Sequence, residues 1–424
     1  MLSNVGGDWH QANIVLKDGR TQSLPKASVK FYCTNLSREQ YNPLLCPVFS
    51  AIVFWAFVGW VVIQFLYAAL LFSRFFRLRG NAAILPVPQR RQVSIVICAK
   101  DETANLRANL RAVLEQDYRD ANGTPLFEVI VVNDCSTDST HALLEDYKQE
   151  FPHLRELIIT PETQRDVAGK KFALSVGVKA ATHEWILLTD ADCKPASQQW
   201  LAYMVAPLAL GKTIVAGYPA HVQQPGLLNR FIRWETTHTW LQLATYAMAG
   251  KPYLAIGRNL ATTKTACLRT YADPHWAQVP TGDDDLLVKL NATKDNFALV
   301  MHPQAYTYSN TRDTLRAWMR QKERHTSDGK YYAGTVQTLL ATYGISQAAV
   351  WVYFVYLAFT PYAATAAALL ALRCIVYWLL WAATALRLKE KNIISLLPLF
   401  DIGWMLYNFA FLPFILSKNR RHWT

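Results

Sequence analysis

The sequence predicts an α/β protein: a mostly parallel sheet with helices on both faces, flanked by transmembrane helices. Three observations predict it. Between residues 92 and 335, short apolar runs of strand length alternate with segments of helical period. Long apolar segments lie on either side of that region. Across the 424 residues, 52% are hydrophobic and 12% aromatic, a content rich for a soluble protein.

Residues 1–45 are polar and mixed, with Lys17, Arg20, Lys26 and Lys30 spread among acids and amides, and carry no secretory signal. They predict a poorly ordered or lightly folded extension. Residues 46–72, "CPVFSAIVFWAFVGWVVIQFLYAALLF", contain no charge and are long enough for the roughly 30 Å hydrocarbon core. Arg74, Arg77 and Arg79 follow, and a basic flank marks the cytoplasmic side. After the polar region, residues 345–386 have room for two spans, with Pro361 and Arg373 as the interruptions that suggest a hairpin. A basic patch, Arg387, Lys389 and Lys391, precedes a further apolar segment broken by Pro398, Asp401 and Pro413. If all three segments of 345–416 cross, the basic tail ends outside, against the positive-inside tendency; a re-entrant last segment removes the conflict. Two or three C-terminal spans are therefore expected, in a multi-pass protein of the cell membrane with residues 92–335 in the cytoplasm.

The net charge of +12 suits nucleic acid, anionic lipid or an anionic substrate and does not separate them. Seven cysteines (33, 46, 98, 135, 193, 267 and 374) show no C-x-x-C spacing, which argues against a zinc site or disulfide framework and fits a reducing compartment.

Within the polar region, "QVSIVIC" is a strand that feeds a helix in which Leu106, Leu110, Val113 and Leu114 recur at helical spacing. "FEVIVVND" is the next strand, followed by a "CSTDST" turn and the helix "HALLEDYKQEF". "RELIIT", "GKKFALSVGVKAA" and "EWILLTDAD" continue the alternation. In sheets of this kind ligands gather beyond the carboxyl ends of the strands, and Asp101, Glu102, Asp134, Asp190 and Asp192 all fall there. One strand-end aspartate is ordinarily a cap. Several acids on one rim repel unless a positive charge sits among them, and Mg²⁺ or Mn²⁺ bridging carboxylates to a nucleotide diphosphate is the natural guest. Neither G-x-x-x-x-G-K-[ST] nor G-x-G-x-x-G occurs, which weakens an ATPase or dinucleotide reading.

The set "VSIVICAKDETANL", "EVIVVNDCSTDST", "AGKKFAL", "ILLTDADCKP", "TGDDDLLVKL" and "RQKER", in this order, resembles family 2 glycosyltransferases of the GT-A fold. The similarity is to the membrane-bound branch that includes cellulose, hyaluronan and poly-N-acetylglucosamine synthases and ceramide glucosyltransferase, and it extends over roughly residues 48–416. The resemblance implies a GT-A nucleotide-diphospho-sugar transferase domain in which Asp101 or Glu102 and Asp134 hold the base and ribose of the donor, with Lys171 nearby. It implies that Asp190 faces the nucleotide and Asp192 ligates the metal, Asp190 being a second candidate ligand. Thr281, Gly282 and Asp283 align with the family's T-E-D, making Asp283 the general base with Asp284 as a rival; Gly282 replaces the usual Glu. Gln321 and Arg324 match the motif placed over the diphosphate, and His325 stands where the family has Trp. Gly257 and Asn259, in "AIGRNLATTK", fall where relatives shape the acceptor wall; their other reading is an ordinary turn.

An inverting transferase requires a carboxylate to take the acceptor proton and positive charge to stabilise the departing diphosphate. The expected activity is transfer of a sugar from a nucleotide-diphospho-sugar to a membrane lipid or lipid-linked acceptor, with no nucleic-acid partner. Loss of the Trp stacking surface at His325 weighs against the processive polysaccharide synthase, the alternative within the class. A membrane-bound nucleotidyltransferase, the alternative from another class, does not require the late "TGDDDLL" and "QKER" segments.

Overall fold

The computed structural model describes residues 11–15, 21–25, 47–78, 83–165, 167, 169–276, 283–326 and 332–416, with the side chains of 11–15, 21–25, 283, 324–326 and 411–416 outside that description. The chain divides into two compact units, Met1–Val61 with Ala349–Ala371, and Val62–Ala348 with Leu372–Thr424.

In the first unit the N-terminal extension contains a hairpin, β1 (Gln11–Val15) against β2 (Thr21–Pro25), antiparallel with Gln11 opposite Pro25. Helix α1 (Pro47–Leu66) follows, and in this unit Phe54 stacks on Tyr362 at 4.6 Å while the hydroxyls of Ser50 and Tyr356 lie 3.0 Å apart.

The second unit carries the α/β domain. Its chain order is β3 (Val93–Ala99), α2 (Thr103–Leu114), β4 (Phe127–Asp134), α3 (Thr140–Glu150), β5 (Leu154–Ile159), α4 (Lys170–Ala180), β6 (Trp185–Asp190), β7 (Lys194–Pro195), α5 (Trp200–Ala209), β8 (Ile214–Gly217) and β9 (Pro219–His221). The long helix α6 (Leu227–Met248) leads to β10 (Leu260–Thr263), α7 (Lys264–Tyr271), α8 (Asp283–Asn291), β11 (Phe297–Val300), β12 (Thr307–Ser309) and α9 (Leu315–Thr326). Seven strands form one sheet in the order β11-β8-β10-β6-β3-β4-β5. The half containing β3, β4, β5 and β6 is parallel, as the alternation predicts; β10 runs antiparallel to both β6 and β8.

Burial explains why these strands read as apolar runs, since all eight residues of β4 are buried and helices cover both faces. On one face Val96, Ile130 and Val132 pack with Phe172, Ala173 and Val178 of α4. On the other, Ile95, Ile97, Val129 and Val131 meet Leu106, Leu110 and Val113 of α2. Gly177 lets α4 sit this close: a Cβ there would stand 2.6 Å from Val96 and 2.8 Å from Val132.

The chain goes out from β3 to β4 and β5, then returns to β6 on the other side of β3. This reversal opens a crevice at the carboxyl ends of β3 and β6, where ligands of open α/β sheets bind.

Three further helices follow: α10 (Gly334–Leu357), α11 (Ala363–Arg387) and α12 (Leu397–Leu416). Among the described residues four stretches are long and apolar enough to cross a membrane: Pro47–Arg77, Gly334–Leu357, Ala363–Arg387 and Lys391–Ala410. The sequence reading is adjusted in two places. Helix α10 begins at Gly334 rather than near 345, because Gln337, Thr338 and Thr342 dilute the hydropathy of its first turns without ending the helix. Arg373 interrupts nothing: Pro361 lies in the turn, whereas Arg373 is within α11 and pairs with Asp401 of α12, both side chains 0% exposed. Gln64, Gln347 and Trp378 close the network, with Arg373 donating to Gln64 Oε1 at 3.1 Å and Gln347 Oε1 at 2.5 Å. Gln347 Nε2 and Trp378 Nε1 donate to Asp401 at 2.5 and 3.2 Å. A charge in a membrane helix needs such partners.

Candidate active site

Register places the acids. Cys98 pairs with Asp190, so the loops leaving β3 and β6 start side by side. A turn closed by Cys193 N donating to Asp190 O at 3.0 Å keeps Asp190 and Asp192 together, and Asn109 of α2 holds the turn through Ala191 O at 3.3 Å. Glu102 is the third acid of this group. Burial holds its carboxyl above the ordinary Glu range, the charges of Asp192 and Asp190 add to the rise, and Asn105 and Arg312 act against it.

Asp101 takes a different role. It has φ 55°, a strained setting for a non-glycine residue, and its carboxylate accepts from Thr137 N at 2.7 Å, Thr137 Oγ1 at 3.1 Å and Asp138 N at 3.3 Å. These bonds, the Thr137 backbone first, lower its pKa. Asp138 in turn accepts from Thr103 and Thr140; burial acts upward, but the hydrogen bonds win and its carboxyl falls to about 2. Asp101 thus stitches the loop after β3 to the loop after β4, leaving Glu102 to face Asp190 and Asp192.

Two rim acids already hold cations of this chain. Arg165 grips Asp134 with both terminal nitrogens, at 2.5 and 3.3 Å, and Lys170 is bonded to Asp190. Lys171, the lysine expected near the donor, instead turns into the interior: it is 4% exposed, donates to Trp276 O at 3.1 Å and lies 4.3 Å from the centre of the Trp276 ring. Helix phase separates the neighbours, because Lys170 is the first residue of α4 after Gly169, whose φ of 65° turns the chain. Sequence reasoning missed Arg165 and Lys170; the Gly–Lys pair opening a helix beneath the acids was the available signal.

The donor set fits a divalent cation. Asp190, Asp192 and Glu102 offer carboxylate oxygens, the hard ligands that Mg²⁺ and Mn²⁺ take, and their crowding favours positive charge among them. Among the described residues, a tighter His/carboxylate cluster lies elsewhere, at His141, Glu145 and Glu156. There Lys148 is bonded to Glu145 and stands 3.9 Å from Glu156, as Lys170 is bonded to Asp190, so an ammonium is present at both groups; what distinguishes the rim is its place at the carboxyl ends of β3 and β6.

The acidic run opens α8. Asp284 accepts from Gly257 N at 2.8 Å through Oδ2 and from Asp285 N at 3.1 Å through Oδ1, so Gly257 and Asp284 are brought together. Asp285 accepts from Tyr332 OH at 3.0 Å. Asp283 is the first residue of α8 and its side chain lies outside the described residues, as do Thr281 and Gly282. Asn259 is an interior strut, 0% exposed: Trp200 Nε1 donates to its oxygen at 2.9 Å and its amide donates to Tyr218 O and Ala305 O at 3.2 and 2.9 Å. No hydrogen of that amide is left for a ligand. On α9, Gln321 is half-buried and accepts from Arg312 at 3.3 Å; the side chains of Arg324 and His325 lie outside the described residues.

Residues 94–264 match the model of glycosyl transferase family 2. They are a family 2 glycosyltransferase domain. A solved relative in fold, a mannosyltransferase from Pyrobaculum calidifontis in complex with GDP-Man and Mn²⁺, aligns with a TM-score of 0.50 at 19% identity, covering 85% of this chain and 98% of that one. The glycosyltransferase domain therefore has the GT-A fold. In sequence the chain is 24% identical over 266 residues to a probable glycosyltransferase of Bacillus subtilis, YdaM, covering 60% of this chain and 57% of the relative. It is 29% identical over 115 residues to the poly-beta-1,6-N-acetyl-D-glucosamine synthase of Staphylococcus epidermidis, 26% of this chain and 25% of that one. It is 27% identical over 133 residues to the beta-monoglucosyldiacylglycerol synthase of Synechocystis, 31% of this chain and 26% of that one. The chain thus spans little more than half of the first of these relatives and about a quarter of the other two.

Proposed function

We propose that this protein is a membrane-embedded, metal-dependent, inverting glycosyltransferase that moves one sugar from a nucleotide-diphospho-sugar to a lipid-like acceptor at the cytoplasmic membrane surface. The observation that carries the reading is the convergence of Glu102, Asp190 and Asp192 on the crevice of a GT-A sheet, with the acidic start of α8 tied by Asp284 to the Gly257 turn beside it. Arg74, Arg77, Arg387, Lys389 and Lys391 at the ends of the apolar helices support the cytoplasmic orientation.

In this reading Asp190 and Asp192 hold the divalent cation, which supplies positive charge to the diphosphate. Asp283 takes the proton of the acceptor hydroxyl as its oxygen bonds to the anomeric carbon, and the bond from that carbon to the diphosphate breaks with its electron pair on the departing oxygen. Asp284, committed to two backbone N–H groups, is the weaker base. The motif match assigns Arg324 to the departing diphosphate, and His325 offers less stacking surface to a growing sugar chain than the family's Trp.

Among the relatives, the name of the Synechocystis protein favours a lipid acceptor and that of the Staphylococcus protein a polymer. Incubating membranes that contain the protein with labelled nucleotide sugars and Mn²⁺ decides between them. Mass spectrometry is expected to find a singly glycosylated, solvent-extractable lipid with release of nucleoside diphosphate. Long glycan in the retained fraction would promote the polysaccharide synthase instead. Release of pyrophosphate from a nucleoside triphosphate would move the protein to the nucleotidyltransferases.

A further inference from the structure

Arg312 is absent from every motif used above, yet the fold sends it to the acidic rim. Strand β12 pairs antiparallel with β7, Thr307 opposite Pro195 and Tyr308 opposite Lys194. Each step forward from Tyr308 is therefore a step back from Lys194, and the segment leaving β12 runs toward Asp192. Thr311 is buried and fixed by Asn229, whose amide donates to its hydroxyl at 3.1 Å, so the next residue is launched from a rigid base. Arg312 itself is exposed. Its Nε donates to Gln321 Oε1 at 3.3 Å, and among the described residues the two terminal nitrogens of the guanidinium have no partner. An arginine held by Nε, with its outer fork open on a segment that runs toward Asp192, is arranged to grip an anion, and a phosphate matches that fork.

We propose that Arg312 binds the diphosphate of the donor at the Asp190–Asp192 rim, and that Gln321 is a positioning residue that aims the Arg312 fork instead of touching the diphosphate. This rests on the nucleotide-sugar reading of the site. It adds a cation from the segment before α9 to the one carried on α9, and it assigns the first residue of the "QKER" motif an indirect role.

The test measures binding, so it does not depend on knowing the acceptor. Purified full-length protein in detergent with Mn²⁺ is titrated calorimetrically with UDP, GDP, ADP, CDP and dTDP, and with the monophosphate of whichever binds. Arg312→Ala is expected to weaken the diphosphate about tenfold or more and the monophosphate far less, the scale of one lost charge-assisted contact. Gln321→Ala is expected to weaken the diphosphate by a smaller factor, and to add nothing once Arg312 is already alanine. Arg312→Lys keeps the charge without the fork; it falls between, and it serves as the variant should the alanine form fail to fold. A diphosphate-to-monophosphate affinity ratio unchanged by Arg312→Ala and Arg312→Lys overturns the proposal while leaving the donor site intact. An undiminished Gln321→Ala effect in the Arg312→Ala background overturns the indirect role of Gln321. If the unsubstituted protein binds none of the diphosphates, the donor reading fails and the proposal falls with it.

Discussion

Arg373 with Asp401 in the apolar helices and Lys170 with Asp190 at the sheet's edge are both ion pairs, but the first is 0% exposed on both sides and the second 39% and 28%. The pair in the apolar helices is also complete. Gln64 and Gln347 accept from the guanidinium, and Gln347 and Trp378 donate to the carboxylate. At the rim, Asp190 meets a lysine, a mobile point charge on a long stem, while Asp192 and Glu102 add like charge beside it. A closed network has no capacity for a guest and serves to fix helix against helix, whereas an open one keeps its charge available. The same residue types thus give a fastener in one place and the candidate site in the other, and satisfaction of the charges separates the two.

The largest expected effect is on the closed network. Asp401→Leu strands the Arg373 guanidinium and is expected to cost about 3–5 kcal/mol of stability. The double variant Arg373→Met with Asp401→Leu removes both charges and is expected to recover most of that loss. Thermal unfolding in a fixed detergent measures both. A double variant as unstable as the single one would mean that the pair does more than balance charge.

Catalysis comes next. Asp283→Asn is expected to retain donor affinity and slow transfer by roughly a hundredfold or more, the scale of a lost general base. Asp284→Asn is expected to slow it less, because that carboxylate is engaged by Gly257 N and Asp285 N. Steady-state rates beside donor titrations separate the two; the reverse ranking would shift the base by one residue.

The third prediction concerns the open rim. Asp192→Ala is expected to abolish the Mn²⁺-dependent part of donor affinity while leaving the unfolding temperature within a few degrees, since the half-buried Asp192 is held, among the described residues, by a weak contact from Cys193 Sγ at 3.4 Å. Calorimetry with and without Mn²⁺ reads the difference. Undiminished metal dependence would locate the cation elsewhere.

The contrast also explains what was legible in the sequence. The alternation from β3 to β6 and the acids at its strand ends are local signals, carried by apolar runs and helical spacing, and they predicted the crevice. Arg373 and Asp401 read as interruptions of separate apolar segments, because their mutual compensation exists only after α11 and α12 pack. Asn259 looked like a turn residue on a ligand wall, and only the fold reveals Trp200, Tyr218 and Ala305 around it. The antiparallel entry of β10 between β6 and β8 leaves no trace in residue spacing. Arg312 stands in none of the motifs, and only the register of β12 against β7 gives it a direction.

The adjacent lysines of α4 give the smallest effect and the sharpest use of the comparison. Lys170 competes at Asp190 with any incoming cation, so Lys170→Met is expected to raise the affinity for Mn²⁺ alone by roughly threefold, the modest gain from removing a half-exposed charge. Lys171 is buried against Trp276, so Lys171→Met is expected to leave Mn²⁺ affinity unchanged and to act on stability, in part through the lost bond to Trp276 O. Electron paramagnetic resonance of free Mn²⁺ during titration reports the first quantity and thermal unfolding the second. If Lys171→Met shifts the Mn²⁺ titration and Lys170→Met does not, α4 is rotated by one residue from the arrangement described, and the rim at Asp190 is more open than the ion pair implies.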